Sequence, residues 1–266
     1  MELAEFTEVD VAVRAGVAVL TLNRPDRRNA WNGRMAVEYR WALHHAHTRP
    51  DVRVVVLTGA GDAFCSGVDL DRRQDATPAT PLERKENLTE RIHRIPLALE
   101  DLDKPVIAAI NGVAVGAGMD MALMCDMRIM ARSARLSEGY VRVGLVPGDG
   151  GCYYLPRLVG TAKALELLLT GDFIDAEEAG RLGIANHVVD DAELAGAVHT
   201  LARKIADGPP VAIRTIKRAV YQSARSDLRT ALDLISSHMA VVTSTEDSAE
   251  ALAAFREKRP AHFIGH

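Results

Sequence analysis

The stretch Ile110-Asn111-Gly112-Val113-Ala114-Val115-Gly116-Ala117-Gly118-Met119-Asp120 joins the end of a buried strand to the start of an apolar helix. Before it, Val106-Ile107-Ala108-Ala109-Ile110 is an apolar run of strand length; after it, apolar residues continue to about Cys125. Glycine lets a backbone approach a ligand and adopt positive φ. The first turn of a helix offers unpaired N–H groups in a favourable dipole. A second turn of this kind lies upstream, Ala63-Phe64-Cys65-Ser66-Gly67-Val68-Asp69-Leu70, beyond the apolar run Val52 to Leu57 and its closing Thr58-Gly59-Ala60-Gly61. Taken singly, each turn reads as close helix–strand packing. As a facing pair they can hold an oxyanion between two backbone donors, the arrangement that stabilises an enolate or a tetrahedral intermediate.

Working outward, the chain alternates strands and helices. Val17 to Leu22 is a β-branched run ending at Asn23-Arg24-Pro25-Asp26, and residues 33–48 carry an amphipathic helix pattern with Met35, Val37, Trp41 and Leu43. Segment 71–82, polar with two prolines, reads as a mobile surface loop, and 83–101 as a helix. Met127 to Ala131 is a further short strand. Beyond Thr161 strand signals thin out. Thr161 is placed to cap a helix to Leu169, Asp175 and Glu178 have capping-box spacing, Pro209-Pro210 opens a helix, and Asp227 opens a long one to about Phe255. The expected organisation is an α/β core over residues 1–198 and a helical region over 199–266, with no solenoid-length repeat.

Composition narrows the function classes. A hydrophobic fraction of 48% over 266 residues suits a globular protein with a sizeable core. A formal net charge of −4 gives no electrostatic reason to expect nucleic acid or an anionic membrane as partner. No apolar run approaches the roughly 20 residues that span a bilayer, and Met1-Glu2-Leu3-Ala4-Glu5 lacks the order of a secretory signal. Cys65, Cys125 and Cys152 lie far apart, without metal-type spacing, and read as free thiols in a reducing, cytoplasmic setting. No metal site is expected.

The two turns, taken with their surroundings, resemble the enoyl-CoA hydratase/isomerase (crotonase) family. Phe64 to Leu70 is similar to its first oxyanion motif, and Ile110 to Asp126, ending in Cys125-Asp126, to its second. Leu22-Asn23-Arg24-Pro25, Gly144-Leu145-Val146-Pro147, and Leu169-Thr170-Gly171 with Ala176 and Gly183 follow in family order. The likeness runs from about residue 10 to 190. It implies a spiral of ββα units with C-terminal helices that assemble trimers, often paired into hexamers. It implies a CoA thioester whose carbonyl oxygen sits between the N–H groups of Val68 and Ala117; Ala117 stands in a Gly116-Ala117-Gly118 run where the family commonly has three glycines. Arg27, Arg28, Ala30, Ser66, Asp69 and Leu70 would contact the CoA, arginine by paired N–H bonds to phosphate. CoA is part of the substrate, and no further cofactor is implied.

The family's hydratases place two glutamates about the double bond, one to activate water and one to protonate carbon. By motif position these are Asp120 and Tyr140 here. Asp120 is shorter by about one carbon–carbon bond, ~1.5 Å, and at a helix start it also complements the dipole. Tyr140 can donate a proton or hydrogen bond but is a poor base, and can equally be an aromatic wall of the acyl pocket. Glu138 points the same way as Tyr140 if the segment is extended, or is a surface carboxylate. Asp149, in Pro147-Gly148-Asp149-Gly150-Gly151, matches a carbon–carbon hydrolase branch of the family whose aspartate is catalytic, yet that branch has histidine where Tyr140 stands; Asp-Gly is also an ordinary turn pair. Asp126 reads as structural, and none of the nine histidines is assigned a role. The leading expectation is hydration of a 2-enoyl-CoA with Asp120 as general acid/base, assisted by Asp149 or Tyr140. Double-bond isomerisation, β-diketone hydrolysis and non-catalytic acyl-CoA binding follow.

Overall fold

The computed structural model describes residues 3–71 and 80–266. The chain begins with a hairpin, β1 (Val9–Arg14) and β2 (Val17–Leu22), whose two-residue turn places Ala15 and Gly16 at φ 50° and 80°. Positive φ at both central positions matches the right-handed twist of the strands. Then come α1 (Gly33–Thr48), β3 (Val54–Gly59), β4 (Ala63–Cys65), α2 (Pro81–Asn87), a π turn over Leu88–Ile92, and α3 (Arg94–Asp101). The central part is β5 (Val106–Ile110), β6 (Val113–Val115), α4 (Ala117–Met124), β7 (Met127–Ala131) and β8 (Arg135–Ser137). It continues through α5 (Gly151–Val159), α6 (Thr161–Thr170), β9 (Ile174–Asp175), α7 (Ala176–Arg181) and β10 (His187–Val189). Four helices close the chain: α8 (Leu194–Ala206), α9 (Pro210–Ser223), α10 (Leu228–Thr243) and α11 (Glu246–Glu257).

The strands form two sheets, β1-β2-β3-β5-β7-β10 and β4-β6-β8-β9. In the first, every pair after the hairpin is parallel. Strands β2, β3 and β5 read as nearly unbroken apolar runs because both faces are covered: α1 buries Met35, Tyr39, Ala42, Leu43 and Ala46, and α8 buries Val198, Ala202 and Ala206, packing across β3, β5 and β7. In three successive units, one strand joins the large sheet and the next joins the small one. Strands β4, β6 and β8 are parallel neighbours there, so their C-terminal ends leave the sheet side by side. That adjacency positions the candidate site.

Two asparagines, buried Asn29 and partly buried Asn111, hold the crossover between β3 and β4. Asn29 Nδ2 donates to the carbonyls of Ala60 and Ala63, at 2.9 and 2.8 Å. Asn111 Nδ2 donates to Gly59 and Gly61, and its oxygen accepts from the Gly59 N–H.

Several helix boundaries differ from the sequence reading. Thr161 does not cap α6; Gly160, at φ 78°, holds the cap position. Asp175 accepts from the Glu178 N–H as the N-cap of α7. The long helix expected from Asp227 is two helices, because Thr245 caps a new start by accepting from the Ser248 N–H. The helix expected over 83–101 begins at Pro81, with Thr80 and Glu83 forming a reciprocal capping box, and is interrupted by the π turn. Most of the expected loop, residues 72–79, lies outside the described residues.

Asp126 ties the C-terminal helices to the core. It accepts from the Val106 N–H at 2.7 Å and from the Tyr221 hydroxyl at 2.7 Å, and pairs with Lys217 at 2.8 Å. Beyond this anchor α10 and α11 leave Leu228, Leu232, Met239 and Phe255 exposed. Among the described residues no helix is long and apolar enough to cross a membrane.

Candidate active site

The two glycine turns begin where β4 and β6 end, and they interlock. A Cβ at Gly67, which sits at φ 94°, would lie 2.8 Å from the Val115 carbonyl oxygen; one at Gly118 would lie 2.1 Å from that of Cys65. Each turn closes to this distance only because the other presents no side chain. Trp31 donates to the Gly67 carbonyl at 2.7 Å and accepts from the Asp69 N–H at 2.8 Å. Val68, bridged to Trp31 between these two bonds, therefore turns its own N–H away from that partner strand. Ala117 is the first residue of α4, so its N–H has no intrahelical acceptor. Neither N–H has a hydrogen-bond partner among the described residues. Two free donors thus stand on facing turns.

Beside the first turn lies the surface proposed from sequence for CoA. The 24–31 segment zips onto it: Ser66 donates from its N–H to the Arg28 carbonyl at 3.0 Å and from Oγ to that of Arg27 at 3.3 Å. Arg28 and Asn29 adopt left-handed φ of 50° and 56°. Arg27 is half exposed, pairs with Asp71, and lies 3.6 Å from Asp69. Ala30 and Asp69 are buried, whereas Val68 and Leu70 are exposed at the lip. Sequence reasoning missed Arg24. Its guanidinium holds Asp69 at 2.8 Å and donates to the Ala30 carbonyl, bracing both halves of the surface. Its place inside the Leu22-Asn23-Arg24-Pro25 motif was the available signal.

Below the two donors the acids converge. Asp120, one turn into α4, is fully buried, and its N–H donates to the Gly116 carbonyl at 2.8 Å. The end of β8 delivers Glu138 and Tyr140, both buried, and the loop before α5 delivers Asp149. The Tyr140 hydroxyl lies 2.8 Å from Asp120 Oδ2 and 2.5 Å from Asp149 Oδ2. The three residues assigned from sequence thus form one string, Asp120–Tyr140–Asp149. A phenol has a single hydrogen and cannot donate to both carboxyls. One carboxyl must hold a proton and donate to the phenol oxygen. The shorter contact has the length of a hydroxyl donating to an ionised carboxylate, about 2.5–2.7 Å. This assigns the negative charge to Asp149 and the proton to Asp120.

Electrostatics agree. Burial, then the neighbouring Asp149, pushes the Asp120 carboxyl up to about 7. Asp149 is also raised by burial, but the Tyr140 hydrogen bond and nearby His93 hold it back. Burial beside two carboxyls drives the Tyr140 phenol far above its ordinary value, so it stays un-ionised. Glu138, which sequence left between site and surface, is buried and raised well above its ordinary range, first by burial and then by Asp120. His93, given no role from sequence, lies 3.1 Å through Nε2 from the Gly148 carbonyl and lines the same loop. Among the described residues no three His, Cys, Asp or Glu side chains are arranged to hold a metal.

Two free N–H donors on interlocked turns, with a buried carboxyl–phenol–carboxyl string close by, can polarise a thioester carbonyl and move protons at the carbons beside it. The family model described as enoyl-CoA hydratase/isomerase matches residues 12–266. The chain belongs to the enoyl-CoA hydratase/isomerase family. Within this family it is 39% identical to 1,2-epoxyphenylacetyl-CoA isomerase of Escherichia coli over 95% of this chain and 97% of that one. It is 37% identical to crotonyl-CoA hydratase of Syntrophomonas wolfei, over 93% and 94% of the two chains. The crystal structure of an enoyl-CoA hydratase from Bacillus anthracis superposes with a TM-score of 0.92 at 35% identity, covering 98% of this chain and 100% of that one. The crotonase-like fold expected from sequence is therefore the fold of the chain.

Proposed function

We propose that the protein hydrates a 2-enoyl-CoA, with the thioester carbonyl oxygen held between the Val68 and Ala117 N–H groups. The observation that carries this is the Asp120–Tyr140–Asp149 string, one phenol hydroxyl within hydrogen-bond distance of two buried carboxyls. Ionised Asp149 takes a proton from water as the water oxygen bonds to C3. The electrons of the double bond move to C2 and the carbonyl oxygen, where the two N–H groups stabilise the enolate. Asp120 then gives its proton to C2. The string resets internally, since Asp149 returns its new proton to the Tyr140 oxygen as the phenol hydrogen passes to Asp120. Arg27, Arg28, Ala30, Ser66, Asp69 and Leu70 are proposed to hold the CoA, with no cofactor beyond that carried by the substrate.

Double-bond isomerisation is the second reading. Tyr140 fills the space between the two carboxyls, which favours moving one proton from C2 to C4 over placing a water there. Among the relatives, the name crotonyl-CoA hydratase supports the first reading and the name enoyl-CoA isomerase/hydratase the second. Turnover of crotonyl-CoA and of a 3-enoyl-CoA by the wild type, Asp120→Asn and Asp149→Asn decides between them. Hydration lost in both variants supports the first reading; isomerisation without hydration replaces it with the second.

We further propose a cytoplasmic homotrimer or homohexamer. Its support is the exposed apolar set Leu228, Leu232, Met239 and Phe255 and the three free thiols. Light scattering that gave a monomer at micromolar concentration would refute the assembly.

A further inference from the structure

Glu138 is 1% exposed, and no cation is among the groups that act on it within the described residues. Its two oxygens, like Asp120 Oδ1, are buried and meet no N–H or O–H donor among those residues. The unsatisfied atoms converge on one point. An added Cβ at Gly151, the first residue of α5, would lie 2.4 Å from Asp120 Oδ1 and 2.8 and 2.9 Å from the Glu138 oxygens. The other ionisable groups acting on Glu138 are Asp149 and Cys152. Two carboxyls brought together away from water and cations cannot both ionise. The contact closes only through a proton.

We infer that Glu138 is a positioning residue that stays a neutral acid and donates its proton to Asp120 Oδ1, turning Oδ2 toward Tyr140 and tuning how readily Asp120 gives up and regains its own proton. This rests on the reading of Asp120 as the proton carrier. It satisfies every orphaned oxygen but one: Glu138 donates to Asp120, Asp120 to Tyr140, and Tyr140 to Asp149. A donor to Asp120 Oδ1 favours its ionised form and opposes the upward push of burial. Without that donor Asp120 would hold its proton too tightly to deliver it near neutral pH.

The test compares full-length wild type with Glu138→Gln, which keeps an N–H donor, and Glu138→Leu, which keeps the bulk without one. The kcat/KM limb of Asp120 moves up by about one to two pH units, ten- to hundredfold in proton affinity, in Glu138→Leu. It stays in place in Glu138→Gln, whose loss of kcat is the smaller, with KM little altered in either. An unmoved limb in Glu138→Leu overturns the inference, as does a Glu138→Gln variant displaced as far as Glu138→Leu. Infrared difference spectra of the free protein give a readout without substrate. One protonated-carboxyl band is lost in Glu138→Gln at pH 7 and another in Asp120→Asn, and the second titrates higher in Glu138→Leu. Absence of the Glu138 band overturns the inference whatever reaction the protein catalyses, and its presence sustains it even where enoyl-CoA turnover fails.

Discussion

Replacing Asp120 by asparagine should stabilise the fold at alkaline pH while removing activity. In the folded protein the carboxyl is raised from 3.8 to about 7, chiefly by burial. A carboxyl whose folded value lies above its unfolded value binds more protons folded than unfolded, so its contribution is undiminished below pH ~4 and is lost as pH rises toward 7. At about 1.4 kcal/mol per pH unit, the loss reaches on the order of 4 kcal/mol by pH 8. Asparagine reproduces the neutral acid: its oxygen accepts where Oδ1 does, and its amide donates to the Tyr140 oxygen where the protonated Oδ2 does. The variant therefore escapes the penalty. At roughly 2–4 °C per kcal/mol, its Tm should exceed the wild type's by on the order of 10 °C at pH 8, with the gap closing near pH 4. Meanwhile kcat should fall by about 10²–10⁴, the usual worth of a general acid/base. Differential scanning fluorimetry from pH 4 to 9 on both proteins reads the gap. A gap independent of pH, or an asparagine variant less stable at pH 8, would refute the assignment of a buried neutral Asp120.

Three other substitutions probe the rest of the site. Ala117→Pro deletes one of the two free N–H groups at the first position of α4, where proline is tolerated; kcat should drop about 10²–10³-fold with Tm preserved, and unchanged kcat would remove this N–H from catalysis. Tyr140→Phe removes the hydroxyl that bridges Asp120 and Asp149 and should cost about 1–3 kcal/mol in stability, seen in urea melts, together with turnover. Lost stability with intact kcat would reduce Tyr140 to a wall of the pocket. Gly118→Ala puts a Cβ 2.1 Å from the Cys65 carbonyl oxygen. Forcing the two turns apart should lower Tm by about 5–10 °C and abolish turnover; a variant with wild-type Tm and kcat would show that the turns are not interlocked.

The strands β2, β3, β5 and β7 were legible from their apolar runs, and the two glycine turns from their position after such runs. Ordered motifs then gave the family, the fold, and Asp120, Tyr140 and Asp149 as candidates. The short strands β4, β6 and β8 were not read as a sheet, because three residues are too few to show a period. Yet their parallel pairing is what brings the turns that carry Val68 and Ala117 together and sets Glu138 and Tyr140 at the end of the neighbouring strand. Residue type says that a carboxyl can carry a proton. Whether it does at neutral pH depends on burial, on which oxygen faces which, and on the count of hydrogens available to share. Those are properties of atoms brought together from 120, 138, 140 and 149, and only the folded chain fixes them.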